Sequence, residues 1–226
     1  MGPRVFVLPV LTLAAVASVA VGLACGSRTS LSGSGVAAEQ NRAVPPFTSV
    51  ELAGTNVVAI HVGAHQSVVV HADRNLLDRV TTSVRSGRLV IANRPGSWTG
   101  KSRMSVEIRM PALTGLRLSG AGVIAVDGLN APSLAVSIPG SGNISVSGSA
   151  HLLDVTVDGS GNAALGALTV REARAVLGGS GTITVRATSS LDASVSGSGA
   201  IFYAGHPRSL TSSVTGSGTI LPAWGS

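Results

Sequence analysis

Gly-[Ser/Ala]-Gly recurs at residues 120–122, 140–142, 159–161, 179–181, 197–199 and 216–218, and this constrains the fold more than anything else in the chain. The steps between first glycines are 20, 19, 20, 18 and 19 residues. A fixed period near 20 is the mark of a solenoid, whose repeats bury their inner faces only by stacking. The flanks repeat too. Four residues after each first glycine stand Ile124, Ile144, Ala163, Ile183, Ile201 and Ile220; two before it stand Leu118, Ile138, Val157, Leu177, Val195 and Val214. Apolar residues alternate with small polar ones on both sides of the corner, the period of a strand with one buried face. The pattern predicts two strands per repeat meeting at a glycine corner, with coils stacked in parallel, in-register ladders about 4.8 Å apart. Gly120, Gly122, Gly140, Gly142, Gly159, Gly161, Gly179, Gly181, Gly197, Gly199, Gly216 and Gly218 are assigned to the corners, on the expectation that glycine supplies a positive φ there.

Composition agrees. The 226 residues are 44% hydrophobic but 3% aromatic and 12% charged, with 29 glycines. Such a chain lacks the long helix formers of a bundle and has too many aliphatic residues for disorder. The predicted class is all-β: a right-handed parallel β-helix of about six regular coils over 113–222, preceded by a less regular β part over 44–112. In that part Asn75 to Val80 reads as a short helical turn and Arg94 to Ser102 as a loop. Solenoid ends need covering, because open edges recruit other chains. Residues 44–112 are expected to cover one end, and Pro222 and Trp224 the other, with 223–226 as a tail.

Residues 1–24 form a signal peptide by pattern: Arg4 precedes Val5–Cys25, in which 17 of 21 residues are hydrophobic and none is charged. Val21-Gly-Leu-Ala-Cys25 is similar to a bacterial lipobox, which makes Cys25 the expected lipidated residue and the membrane anchor. A cleaved signal that frees a secreted chain, and a retained spanning helix, remain as alternatives. Residues 25–43, with Gly33-Ser-Gly35, read as a flexible tether because no apolar alternation supports a strand.

Phe47-Thr-Ser-Val50, Val68-Val-Val70, Leu89-Val-Ile91 and Ile108-Arg-Met-Pro-Ala-Leu113, followed by Gly-Ser-Gly coils, resemble the bacterial head GIN domain family. The likeness spans 44–222. It implies a right-handed β-helix on secreted or lipid-anchored proteins, in a family named for autotransporter adhesins and without a characterised function. It implies no catalytic or ligand-binding residue.

The candidate sites are few. Residues 73–117 hold nine basic and three acidic residues, which accounts for the whole +6 of the chain. Arg74, Arg79, Arg85, Arg88, Arg94, Lys101 and Arg103 form a possible polyanion-binding segment; the competing reading is a solvated face that deters edge pairing. A single aromatic residue, Trp98, interleaves with them, too few to stack successive bases, so nucleic acid is not expected. His61, His65 and His71 fall close together, but without a cysteine or a convincing carboxylate set, and no metal or other cofactor is predicted. Asp154, Arg174 and Asp192 share one register, five residues before successive corners. They are either an exposed charge ladder or, in an open cleft with another acid, the start of a polysaccharide-processing site. The corner serines Ser141, Ser160, Ser180, Ser198 and Ser217 lack a nucleophile context and are expected to hydrogen-bond along the stack. Asn143, Ser145, Asn162, Ala164, Thr182 and Thr184 are small outward residues that predict a flat flank.

The sequence thus describes a non-catalytic lipoprotein of the bacterial cell surface. Its role is structural or adhesive, toward an envelope glycan or a surface protein. A polysaccharide-acting β-helix enzyme and a polyanion-binding protein are the alternatives.

Overall fold

The computed structural model describes Gly2 and residues 30–223 except Ala64 and Arg103. The chain is 64% strand and 3% helix, a β-solenoid of about five turns. Six corners enclose five full intervals, which accounts for the difference from six coils. The strands in chain order are β1 (Leu31–Ser32), β2 (Ala37–Asn41), β3 (Ser49–Leu52), β4 (Val57–Val62), β5 (Ser67–Asp73), β6 (Val80–Arg85), β7 (Arg88–Asn93), β8 (Trp98–Thr99), β9 (Ser105–Met110) and β10 (Gly115–Leu118). The long coil strands follow: β11 (Val123–Ile138), β12 (Asn143–Val157), β13 (Asn162–Leu177) and β14 (Thr182–Val195), then β15 (Ala200–Ala204), β16 (Ser209–Val214) and β17 (Thr219–Pro222). A 3-10 helix, Arg74–Arg79, stands where a helical turn was expected.

Each long strand bends through straight segments. In β12, 143–146, 148–150 and 152–157 pair in turn with the coil below. The segment before each Gly-Ser-Gly corner is called face A here, and the segment after it face B. Parallel register carries equivalent residues one above another: Ile124, Ile144, Ala163, Ile183 and Ile201 form a continuous inner column on face B. All are buried. Where Ala163 leaves room, Leu165 takes the place that Val146 and Val185 hold in adjacent coils. Burying one Ile or Leu side chain contributes roughly 1.5–3 kcal/mol. A core of such columns is filled almost entirely by aliphatic side chains, with Phe47 buried in it and Tyr203 packed against it as the exceptions.

The corner glycines are required for a reason other than the expected one. None of the twelve has a positive φ. Instead the corners stack so closely that a Cβ on Gly140 would collide with Gly120 O, one on Gly159 with Gly140 O, and one on Gly179 with Gly159 O. On the other side of each corner, a Cβ at Gly142 would meet Gly122 O and come within 2.7 Å of Leu118 Cδ2. Backbone amides hold the corner stack: Ser141 N–H donates to Gly120 O at 3.2 Å and Ser198 N–H to Gly179 O at 3.1 Å. Among the described residues the corner serine hydroxyls make no hydrogen bond, so the side-chain ladder expected of them is replaced by a backbone one.

The N-terminal part enters the same stack out of chain order. β3 lies beneath β10, yet β7, later in sequence, lies beneath β3 (Val50↔Leu89, Leu52↔Ile91). On face B, β9 likewise lies beneath β4 (Val58↔Val106, Ile60↔Ile108). Antiparallel strands then close this end: β6 on β7, and β5 on β9 with β2 outside it. Residues 44–112 therefore cover one end, as expected.

The tether expectation needs correcting over 31–41. β2 pairs with β5 and β1 with β8. This strap is held by polar contacts rather than by an apolar face. Gly33 N–H donates to Thr99 O at 2.7 Å, and Asn75 Nδ2 donates to Ser32 O at 2.8 Å. At its centre is buried Asp73, whose carboxylate accepts from Ser102 Oγ at 2.7 Å and from Lys101 N–H at 2.8 Å. A Cβ on Gly33 would strike that carboxylate. The loop expected over Arg94–Ser102 is thus a pairing partner and contains β8.

The far end is described as far as Ala223. Trp224 lies outside the described residues, and Pro222 ends β17 without covering the last rung. Leu210, Val214 and Leu221 are 43%, 46% and 46% exposed.

Candidate functional site

The expected column exists. Asp154 pairs with Arg174 and Arg174 with Asp192 on consecutive coils. All three point outward from face A, because their neighbours Leu153, Val155, Ala173, Ala175, Leu191 and Ala193 fill the core. Two residues earlier on the same side stand Leu152, Glu172 and Ser190, again in register.

This side of the solenoid is concave. A groove of about 480 Å³ runs over successive rungs, from Thr114 past Ser133, Leu152, Asp154, Glu172, Arg174, Ser190 and Asp192 to Ser209 and Thr211. Six rungs, five ladder spacings apart from end to end, make it roughly 24 Å long. Three carboxylates, one guanidinium and a row of hydroxyls line it, and Leu152 stands 50% exposed among them. Asp154, Arg174 and Asp192 make no ion pair within 4 Å of one another or of any other described residue. The column is an exposed ladder of alternating charge, and it faces a groove that also holds a fourth charged residue, Glu172. Among the described residues no histidine, lysine or aromatic side chain is present in the lining. The arrangement accepts hydrogen bonds from hydroxyls or amides, offers a bidentate donor to an anion, and exposes one apolar contact. Neither Glu172 nor Leu152 was singled out from sequence, although both share the column's parity.

The flank expected to be flat is face B. Asn143, Ser145, Asn162 and Ala164 are exposed on it, and Asn162 Nδ2 donates to Asn143 Oδ1 at 3.0 Å.

The basic residues gather at the N-terminal end. Arg74 and Arg79 are on the 3-10 helix; Arg85 ends β6, and Arg94 N–H donates to Arg79 O at 2.8 Å. Arg88 and Arg117 instead flank Glu51 at 3.5 and 3.6 Å. Arg74, Arg79, Arg85, Arg94 and Lys101 have no ion-pair partner among the described residues. Arg103 lies outside them, as does Cys25. His71 sits between Glu39 (3.7 Å) and Glu107 (4.0 Å), while His61 is separated from it by β9. Among the described residues no group of three or more His, Cys, Asp or Glu side chains could hold a metal ion.

Among the described residues Asp73 is the one titratable group with a resolved shift. Its carboxyl is held below the usual carboxylate range, chiefly by the Ser102 hydroxyl and then by the Lys101 amide, with burial opposing them. It belongs to the strap rather than the groove.

The family described as "Putative auto-transporter adhesin, head GIN domain" matches residues 46–207. No curated protein gives a significant match. Among solved structures, a putative adhesin from Bacteroides fragilis superposes with a TM-score of 0.69 at 21% identity, covering 85% of this chain and all of that one. A putative lipid binding protein from Parabacteroides distasonis gives a TM-score of 0.50 at 22% identity, covering 85% of this chain and 99% of that one. At these identities the likeness is one of fold.

Proposed function

The chain belongs to the head GIN domain family, and from that premise we propose that it is a non-catalytic interaction module of the cell surface that holds an extended polar polymer of the envelope along the face A groove. The observation that carries this reading is the groove itself: about 480 Å³, continuous over several coils, lined by charges that make no ion pair among the described residues. Its walls are consecutive rungs of one parallel ladder, so its polar groups are held in place before a ligand arrives. Preorganisation of this kind reduces the entropy lost on binding. Exposed carboxylates with an arginine between two of them suit recognition of hydroxyls, amides and acidic groups. Among the described residues the lining holds no aromatic platform for a sugar ring, and its carboxylates and hydroxyls are placed to accept and donate hydrogen bonds along a polymer.

Attachment belongs to the same proposal. A lipid on Cys25 ties the chain to the membrane, and the described chain enters the fold beside the basic N-terminal end. The groove then begins beyond that end. Metabolic labelling with an alkyne fatty acid tests the anchor: the wild-type chain takes up label and Cys25→Ser does not. The binding claim is tested on an array of envelope glycans and peptides probed with the full chain. Saturable binding that Arg174→Glu abolishes supports it. Equal binding by Arg174→Glu, or release of soluble fragments from a glycan, contradicts it.

A further inference from the structure

Among the described residues the solenoid is closed at one end and open at the other, and the open end has a self-complementary edge. β16 pairs with β14 on one side only, through Leu210↔Leu191, Ser212↔Ala193 and Val214↔Val195. Those partners are buried, so Leu210, Ser212 and Val214 are the last members of the inner columns. Every residue of β16 is nonetheless exposed. β16 carries no charged residue, proline or bulge of the kind that guards free edges, whereas β17 ends in Pro222.

The hydrogen-bonding direction of this edge is fixed. Thr215 N–H donates down to Val195 O at 2.9 Å. A parallel ladder sends successive residues to alternate sides, so Leu210, Ser212 and Val214 turn their N–H and C=O groups to the open side. These are also the residues whose side chains face the core.

We propose that a second copy of this chain covers the open end, head to head, about a twofold axis through Ser212. Antiparallel pairing in that register sets Ser212 against Ser212 of the second copy and Leu210 against its Val214. All three outward-directed residues then fall at hydrogen-bonded positions, giving about six inter-strand bonds. The register keeps every inward side chain inward, so the two cores meet across Leu210 and Val214. The contact closes on itself. Head-to-tail stacking would meet charged edges instead, because the other end terminates in β6, which ends in Arg85, and in β2, which carries Glu39. The product is a dimer with its two N-terminal ends pointing apart, not a fibre.

The test is sedimentation analysis of the full chain in detergent micelles across a dilution series, with hydrogen exchange of the same samples. The wild type should show twice the monomer protein mass, falling to monomer on dilution, with protection of 209–214 falling in parallel. Ser212→Pro should stay monomeric at all concentrations and keep its strand content, because the N–H it removes points out of the ladder. A wild type that is monomeric throughout overturns the proposal. So do a Ser212→Pro chain that dimerises as the wild type does, concentration-independent exchange at 209–214, and assembly beyond the dimer.

Discussion

At the scale of single residues, two neighbouring glycines separate the causes of the corner requirement. At Gly179 a Cβ would run into Gly159 O and lie 2.6 Å from Asp158 O, both backbone atoms. At Gly178 the nearest atom is the Asp158 carboxylate at 3.2 Å, the end of a movable side chain. Neither glycine has a positive φ. Gly179→Ala should therefore lower stability by roughly 2–3 kcal/mol. Gly178→Ala should change it by less than about 1 kcal/mol. Denaturant midpoints read both, and equal effects would mean that stacking distance is not what selects glycine. Asp73 gives a second residue-level test. Its folded pKa lies below the ordinary 3.8, so its contribution to strap stability is present above that value and lost as pH falls through the lower one. Hydrogen exchange over 31–41 should accelerate as pH is lowered through this range, beyond the intrinsic pH dependence of exchange, and Asp73→Asn should remove that acid step.

At the scale of elements, a coil is only as stable as its column. Ile144 lies between Ile124 and Ala163 and is fully buried. Ile144→Ala should cost about 2–5 kcal/mol in thermal or chemical unfolding, with the upper part of that range expected where Ala163 already thins the column. The columns were legible in sequence because inward Ile, Val and Leu recur at one offset from each corner. The strap was not legible. Residues 31–41 bury almost nothing apolar and are held by backbone pairing, Asn75 and Asp73, which leave no hydrophobic period to read. The order of stacking was equally hidden: the residues of β7 and β3 look alike, and nothing local says that the later one lies beneath the earlier. The groove was half legible. The Asp154–Arg174–Asp192 register followed from the repeat, but concavity depends on how each coil bends between 146 and 152, which turn spacing alone does not give. Glu172 and Leu152 escaped notice for that reason.

At the scale of the whole molecule, the solenoid separates its tasks along one axis. The basic end receives the chain from its N-terminal segment, the middle carries the groove on face A and the asparagine ladder on face B, and the far end presents an open edge. The repeat makes this separation possible, because rungs share a backbone frame while their outward residues vary freely. The most direct measurement is a hydrogen-exchange footprint of the full chain with and without the polymer that it binds on an envelope array. Protection should concentrate on 152–154, 172–174 and 190–192, while the corners and 143–145 stay unchanged. Protection centred instead on the Asn143 and Asn162 flank or on the basic end, with the groove segments unaffected, would contradict the assignment of the groove as the binding surface.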